Sequence, residues 1–354
     1  MILIFMFVLV CIAYTSWHFW RILPLSPLGK TALVTLYVLC FLVTFVHYGL
    51  MNRLPMGLAA ATYEIGTSWM IFFVYALLLF LVLDLGRLVR LVPADFMKDS
   101  LTGTCTVVGI IVILLIYGGF HYHHKYREEI DISSDKVSSP ITVVLASDLH
   151  VGWHNRKAEL GRWVVLINAE HPDLVLFAGD ILDGAVRPAR VWHYEEEFRA
   201  IQAPVYASLG NHEYISGLEA ALDFYQQAGI HLLRDSVATV QGLRIVGRDD
   251  RSNRSRKALS VLAPKDPAFT ILLDHQPYHL EEAETCGMDF QFSGHTHHGQ
   301  IWPGNWLTDR MYEKAFGRHQ RGGTRYYVTS GLGIWGGKFR IGTRSEYIVL
   351  KIHP

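Results

Sequence analysis

The chain has 354 residues, 51% of them hydrophobic and only 18% charged, with a mean hydropathy of +0.21. Such a composition excludes a disordered chain and an ordinary soluble protein. Its 32 basic and 32 acidic residues cancel, which argues against a nucleic-acid binder. The charges are unevenly placed: ten precede His121 and the other 54 follow it.

Four apolar stretches open the chain, roughly Ile2–Trp20, Thr31–Leu50, Gly66–Leu83 and Cys105–Phe120. Each approaches the length of about 20 residues that crosses a bilayer core, and none contains Asp, Glu, Lys or Arg. Four such runs in succession leave no polar face for water, so residues 1–122 read as a four-helix transmembrane anchor. The first run lacks a basic leader and a small-residue cleavage site, and reads as a retained helix. Arg21, Lys30, Arg87, Arg90 and Lys98 lie on one side of these spans, against Arg53, Lys125 and Arg127 on the other. The basic excess leans the soluble part toward the extracytoplasmic face of a bacterial inner membrane. His18 and His47, near span ends, read as interfacial rings, and the cluster His121, Tyr122, His123, His124 and Tyr126 as an aromatic belt. Cys286 alone lies in the soluble part, so no disulfide forms within it.

Residues 123–140 are polar, mixed in charge and carry Ser-Ser twice, and read as a linker. From Ile141 short β-rich runs alternate with helical ones. Strands are predicted at Ile141–Ala146, Asp173–Phe177 and Val205–Ser208, with helices at Ala158–Glu170, Trp192–Ile201 and Leu218–Ala228 between and after them. Further strands are predicted at Leu243–Val246, Phe269–Leu273, Phe290–Phe292, Tyr326–Thr329 and Tyr347–Ile352. This order suggests helices packed over mixed sheets, with loops at the strand ends carrying the site.

Metal-ligand residue types follow these strands repeatedly. Asp148 and His150 follow the first, and Asp180 and Asp183 (in Gly179-Asp180-Ile181-Leu182-Asp183) the second. Asn211, His212 and Glu213 follow the third, and Asp274 and His275 a later one. Gly294-His295-Thr296-His297-His298-Gly299-Gln300 follows the next. Taken singly, most of these are ordinary turn or cap residues. Five such loops, each at the end of an apolar strand, can converge on one site, and a set of Asp, His and Asn suits two borderline divalent ions rather than calcium or a structural zinc. Two such ions clamp the attacking and leaving oxygens of a phosphoryl displacement.

In order and spacing this series resembles the calcineurin-like metallophosphoesterases. The stretches Gly210–Tyr214 and Gly294–Gln300 look closest to their membrane-anchored branch, the transmembrane proteins with a metallophosphoesterase domain and their bacterial relatives. The resemblance covers residues 141–354 and implies an αββα sandwich of the α+β class. It implies that Asp148, His150 and His297 hold one divalent ion and that Asn211, His275 and His295 hold a second, with Asp180 bridging the two. Manganese, iron and zinc are the metals expected. His212 would act as general acid or charge stabiliser, Asp183 would orient it or a metal ligand, and a hydroxide bridging the metals would attack phosphorus.

Two positions depart from the family. Gly184 stands where many relatives carry Arg, which removes one phosphate contact and weakens a protein-phosphatase reading. His298 stands where the branch usually has Gly; with Arg340 it is a weak phosphate-binding candidate, and Arg340 with Glu346 reads equally as a structural ion pair. The run Ile301–Trp306 with Trp335 offers an apolar rim beside the metals, or ordinary core tryptophans.

The implied function is hydrolysis of a phosphodiester or pyrophosphate at the membrane. A lipid or lipid-linked nucleotide such as UDP-2,3-diacylglucosamine is the expected substrate, without nucleic acid. The alternatives are a phosphomonoesterase or protein phosphatase, and a non-catalytic membrane sensor of a phosphorylated ligand.

Overall fold

Four long helices occupy the first third: α1 (Ile2–Ile22), α2 (Pro27–Leu50), α3 (Met56–Leu88) and α4 (Leu101–His123). They belong to a computed structural model that describes residues 2–354. All four are long and apolar enough to cross a membrane. The breaks between them follow local chemistry. Ser26 accepts from Gly29 N and Pro27 sits at the first helical position, which starts α2, while Pro55 precedes α3. Gly66 lets α3 approach α2 closely, since a Cβ there would lie 2.8 Å from the Thr44 backbone.

The chain divides into two units, Met1–Gly119 with Gly336–Lys338, and Phe120–Trp335 with Phe339–Pro354. In the first, α3 extends beyond its predicted apolar stretch at both ends and takes in Glu64, Asp84 and Arg87. Asp84 accepts from Tyr14 Oη at 2.8 Å and lies 2.9 Å from His18 Nε2. His18 is therefore not the interfacial ring expected of it: it is buried and stacked on Phe80. His47 is buried too, against the edge of Tyr63.

The second unit contains two six-stranded sheets. In the first, β1 (Lys125–Ser133), β12 (Ser345–His353), β2 (Ile141–Ala146), β3 (Leu174–Ala178), β4 (Val205–Ser208) and β5 (His231–Leu232) lie side by side. In the second the order is β10 (Gly317–Arg321), β11 (Thr324–Val328), β9 (Phe290–Ser293), β8 (Thr270–Leu273), β7 (Leu243–Gly247) and β6 (Ser236–Val240). Strands β2, β3, β4 and β5 run parallel, as do β7, β8, β9 and β11, while β12, β10 and β6 pair antiparallel with β2, β11 and β7.

Strand alternation builds the layers. Val143, Leu145, Leu174, Leu176, Ile348 and Leu350 point inward against Ile245, Ile271, Leu273 and Phe292 of the other sheet. Their neighbours Val144, Val175, Phe177 and Val349 point outward under Leu160, Trp163, Phe198 and Phe224 of the covering helices. Leu280 and Ala283 cover Val246 and Leu272 on the far side. The expected αββα arrangement is present, with both faces of the central strands buried, which explains why they read as continuous apolar runs.

The reading of residues 123–140 as a linker needs correction. Lys125–Ser133 is an edge strand, parallel to β12 over all nine residues. Ile130 and Ile132 face the core, while Arg127, Glu128 and Glu129 make ion pairs on the edge. Charge on an edge strand guards it against stray pairing, and it made this strand look like a linker.

Candidate metal centre

Every expected ligand lies just beyond the C-terminal end of a parallel strand: β2, β3, β4, β8 or β9. Backbone bonds lock the first two loops together. Asp148 N donates to Gly179 O, His150 N to Asp180 O and Val151 N to Ile181 O, at 3.2, 3.0 and 2.8 Å. Asp148, His150, Asp180, His295 and His297 all have positive φ, between 45° and 70°. Non-glycine residues seldom adopt that region, and a cluster of them is typical of a functional site. Two glycines admit the close approaches: a Cβ on Gly210 would lie 2.2 Å from Asp180 Oδ1, and one on Gly294 2.1 Å from Asp148 Oδ2.

Three overlapping groups could each hold a cation: Asp148 with His150 and His297, His150 with Asp180 and His212, and Asp180 with His275 and His295. His150 Nε2 and His297 Nε2 are 3.1 Å apart. His275 Nε2 lies 3.1 Å from Asp180 Oδ2, and Asn211 Oδ1 lies 2.8 Å from His295 Nδ1. These seven residues come together, and Asp180 Oδ2, 3.1 Å from His275 Nε2, is also 3.7 Å from His150 Nε2. His212 is partly exposed; its ring meets His150 edge-on at 4.5 Å, and its backbone N donates to Asp180 Oδ1 at 2.8 Å. Asp183 Oδ1 lies 3.4 Å from His212 Nδ1 and 3.7 Å from His150 Nδ1, so it stands behind both rings.

The donor set fits divalent metals. His275 Nδ1 donates to Ala178 O at 2.7 Å, which turns the other ring nitrogen toward the Asp180 carboxylate. Two such electron pairs tolerate that separation only with a proton or a metal cation between them. Asp148, Asp180 and Asp183 are buried together, and three buried carboxylates require positive charge. Without metal, histidines supply it. Burial opposes ionisation of Asp180, yet His275 and His212 hold its carboxyl well below the usual range. Burial likewise disfavours charge on His150, but Asp148 and Asp183 push its pKa up to about 10. His297 is driven the other way by burial, so its ring stays neutral, as a ligand must be.

Two weaker expectations fail. Arg340 does not open onto the site: it is fully buried, and its guanidinium donates to His297 O at 2.8 Å, to Gly333 O at 3.0 Å, and to Ser330 O and Ser345 Oγ. Four of its five N–H groups are spent, so it holds the His297 loop in place rather than a phosphate. Glu346 does not pair with it but with Arg344, at 2.8 Å. His298 turns away from the metal ligands, stacked on Phe316 and 3.6 Å from Asp309.

Three residues take positioning roles that the sequence reading did not assign to them. Glu213, fully buried, accepts from Gly210 N, Asp180 N and Leu182 N at 2.8, 3.1 and 3.0 Å, binding two ligand loops to one carboxylate. Its place as the third residue after Gly210 is a capping signal that could have found it. Asn155 Nδ2 donates to Leu149 O, His150 O and Ile334 O, and accepts on Oδ1 from Tyr122 Oη at 2.6 Å. Nothing local in the sequence marks Asn155 or Tyr122.

Residues 141–299 match the model of the calcineurin-like phosphoesterase family. The chain carries a calcineurin-like metallophosphoesterase domain. That domain supports a metal-dependent phosphoester hydrolase. An uncharacterized metallophosphoesterase of Helicobacter pylori strain J99 is 28% identical over 370 residues, covering 99% of this chain and 97% of that one. A transmembrane protein with metallophosphoesterase domain from Danio rerio is 28% identical over 316 residues, 78% of this chain and 71% of that one. Among solved structures, a 5'-nucleotidase precursor from Thermus thermophilus aligns at TM-score 0.37 and 17% identity, over 60% of this chain and 54% of that one. The transmembrane relatives and the four apolar helices make the metallophosphoesterase a membrane-associated one.

Proposed function

We propose that this metallophosphoesterase hydrolyses a phosphodiester or pyrophosphate bond in a lipid or lipid-linked nucleotide, anchored by residues 1–122 in a bacterial inner membrane. The observation that carries the reading is a chain of three candidate ligand groups, Asp148 with His150 and His297, His150 with Asp180 and His212, and Asp180 with His275 and His295, linked through His150 and Asp180. Asp148, His150 and His297 would hold one divalent ion and Asn211, His275 and His295 the other. Ions bound there would neutralise phosphoryl oxygens and lower the pKa of a water.

The protein's own part is positioning and proton transfer. His212 is partly exposed beside Asp180 and, unlike the equally accessible His295, is not needed as a metal ligand, so it is the imidazole left to face an arriving phosphoester. Asp183, close to His212 Nδ1, favours the tautomer that leaves Nε2 free to serve a leaving oxygen. Burial would raise the Asp183 carboxyl, but His150 and His212 hold it well below its ordinary value, so it stays an acceptor. With Gly184 in place of an arginine and Arg340 committed to backbone carbonyls, the metal centre offers little to a phosphomonoester dianion. That supports the diester reading over the phosphatase one.

The test uses full-length protein in detergent, stripped of metal and resupplied with Mn²⁺, Zn²⁺ or Fe²⁺. A generic phosphodiester, a phosphomonoester and a UDP-linked diacyl sugar are assayed in parallel. Metal-dependent turnover of diester or pyrophosphate should fall about 10²–10⁴-fold in His212→Ala and vanish in Asp180→Asn. Preference for the monoester would overturn the substrate class. Two bound metals with no turnover would favour a sensor.

A further inference from the structure

The helix Gly304–Met311 buries none of its residues. Trp306, Leu307 and Met311 are 62%, 62% and 56% exposed, and Trp302 just before it and Trp335 beyond are each 44% exposed. A monomer surface rarely shows so many large apolar groups together without a partner. At 100° per residue, Trp306, Leu307, Arg310 and Met311 fall on one side of the helix, and the Trp302 ring, just before it, meets Trp306 at 5.4 Å. Arg310 is exposed and has no carboxylate partner among the described residues. Tryptophan, leucine and an unpaired arginine on one helix face make up the composition of a helix lying in a membrane interface.

We infer that this helix docks on the bilayer, with its rings at acyl-chain depth and Arg310 among the phosphates. Two observations favour lipid over a protein partner. The chain carries four helices fit to cross a membrane, and His124 alone separates α4 from β1, so the docking helix belongs to a chain that already partitions into lipid.

The docking helix is also fixed to a metal-ligand loop. Trp302 N donates to Ile341 O at 2.6 Å, and Thr343 Oγ1 donates to Gln300 O at 2.7 Å. Gly299 and Gly304 lie so close that a Cβ on Gly299 would come within 2.1 Å of the Gly304 backbone. Asp309, on the inner side, lies near His298. A surface that seats this helix therefore sets the depth of the His295–His297 loop. The substrate class follows: a phosphoester at headgroup depth, still attached to its acyl chains. This last step rests on the phosphoesterase reading; the docking does not.

The test places full-length protein in phosphatidylcholine nanodiscs, one copy per disc. A fluorophore is attached at Leu307→Cys after Cys11, Cys40, Cys105 and Cys286 are replaced by Ser. Docking predicts quenching by lipids brominated on the acyl chain and protection from aqueous iodide. Iodide quenching without bromolipid quenching overturns it, and so does bromolipid quenching seen only with two copies per disc. Wild-type protein and Trp302→Phe/Trp306→Phe, both with native cysteines, provide a second reading: the bromolipid-quenched tryptophan emission should shrink in the variant, and no change would overturn the proposal. For the substrate step, Trp302→Ser/Trp306→Ser/Leu307→Ser should lower the ratio of bilayer-embedded to water-soluble diester turnover by about tenfold or more. An unchanged ratio overturns that step. Quenching without any turnover leaves docking standing and removes the phosphoesterase reading instead.

Discussion

The side chains at this site divide by the atom each presents. Those brought together at the strand ends, Asp148, His150, Asp180, Asn211, His275, His295 and His297, were legible as candidate ligands, because each type carries its donor atom wherever the loop places it. Arg340 was not: a guanidinium serves phosphates and carbonyls alike, and only the fold shows which it meets. Replacing Arg340 by Met should leave the carbonyls of His297, Ser330 and Gly333 buried without donors, at about 1–3 kcal/mol for each one unmet. Lower melting temperature and weaker metal retention, read by calorimetry and metal analysis, are expected; an intact site would return the arginine to the phosphate. Asp249 tests charge away from the ligands. It is buried and accepts from Tyr214 Oη, Arg234 and Asn253. Burial raises its carboxyl, but those donors win and hold it below its ordinary range. A depressed folded pKa gives stability that is present above the unfolded value, about 3.9, and lost as pH falls through the folded one. Asp249→Asn should therefore lower the melting temperature at pH 7 and lose that effect in strong acid, whereas an equal loss at both would show packing alone.

Among the elements, the strands of both sheet centres were readable because two buried faces demand unbroken apolar runs. β1 was missed for the complementary reason. Its partner β12 lies about two hundred residues away in the chain, and half its side chains serve an exposed edge. Ile130 and Ile132 are the test of it as a core strand. Changing both to Ser should cost about 2–5 kcal/mol for each cavity left, read as denaturant midpoint in detergent. A true linker would tolerate both. The helices of the first third show a further limit of composition. A run of apolar residues marks a span but not its ends, so α3 carries Asp84 and Arg87 inside its helical length.

For the whole molecule, burying three carboxylates around one centre makes the metal part of the folding balance. Removing it should abolish turnover and also lower the melting temperature, because those charges lose their neutralisation. Restored Mn²⁺ should raise that temperature with concentration, as a ligand bound only by the folded state must. A chelated protein as stable as the loaded one would argue that its histidines suffice.

Two residues in the last turn of α4 reach two different loops of the centre. Tyr122 donates to Asn155 behind His150, and His121 Nδ1 lies 3.3 Å from the carbonyl of Arg340, whose guanidinium supports His297. A chain begun at Lys125 would look like a clean catalytic fragment and would lack the keystone between its two histidine loops. Trimming away the hydrophobic third to obtain a tractable enzyme would thus discard part of the enzyme, and a weakly active fragment would say nothing against the intact protein.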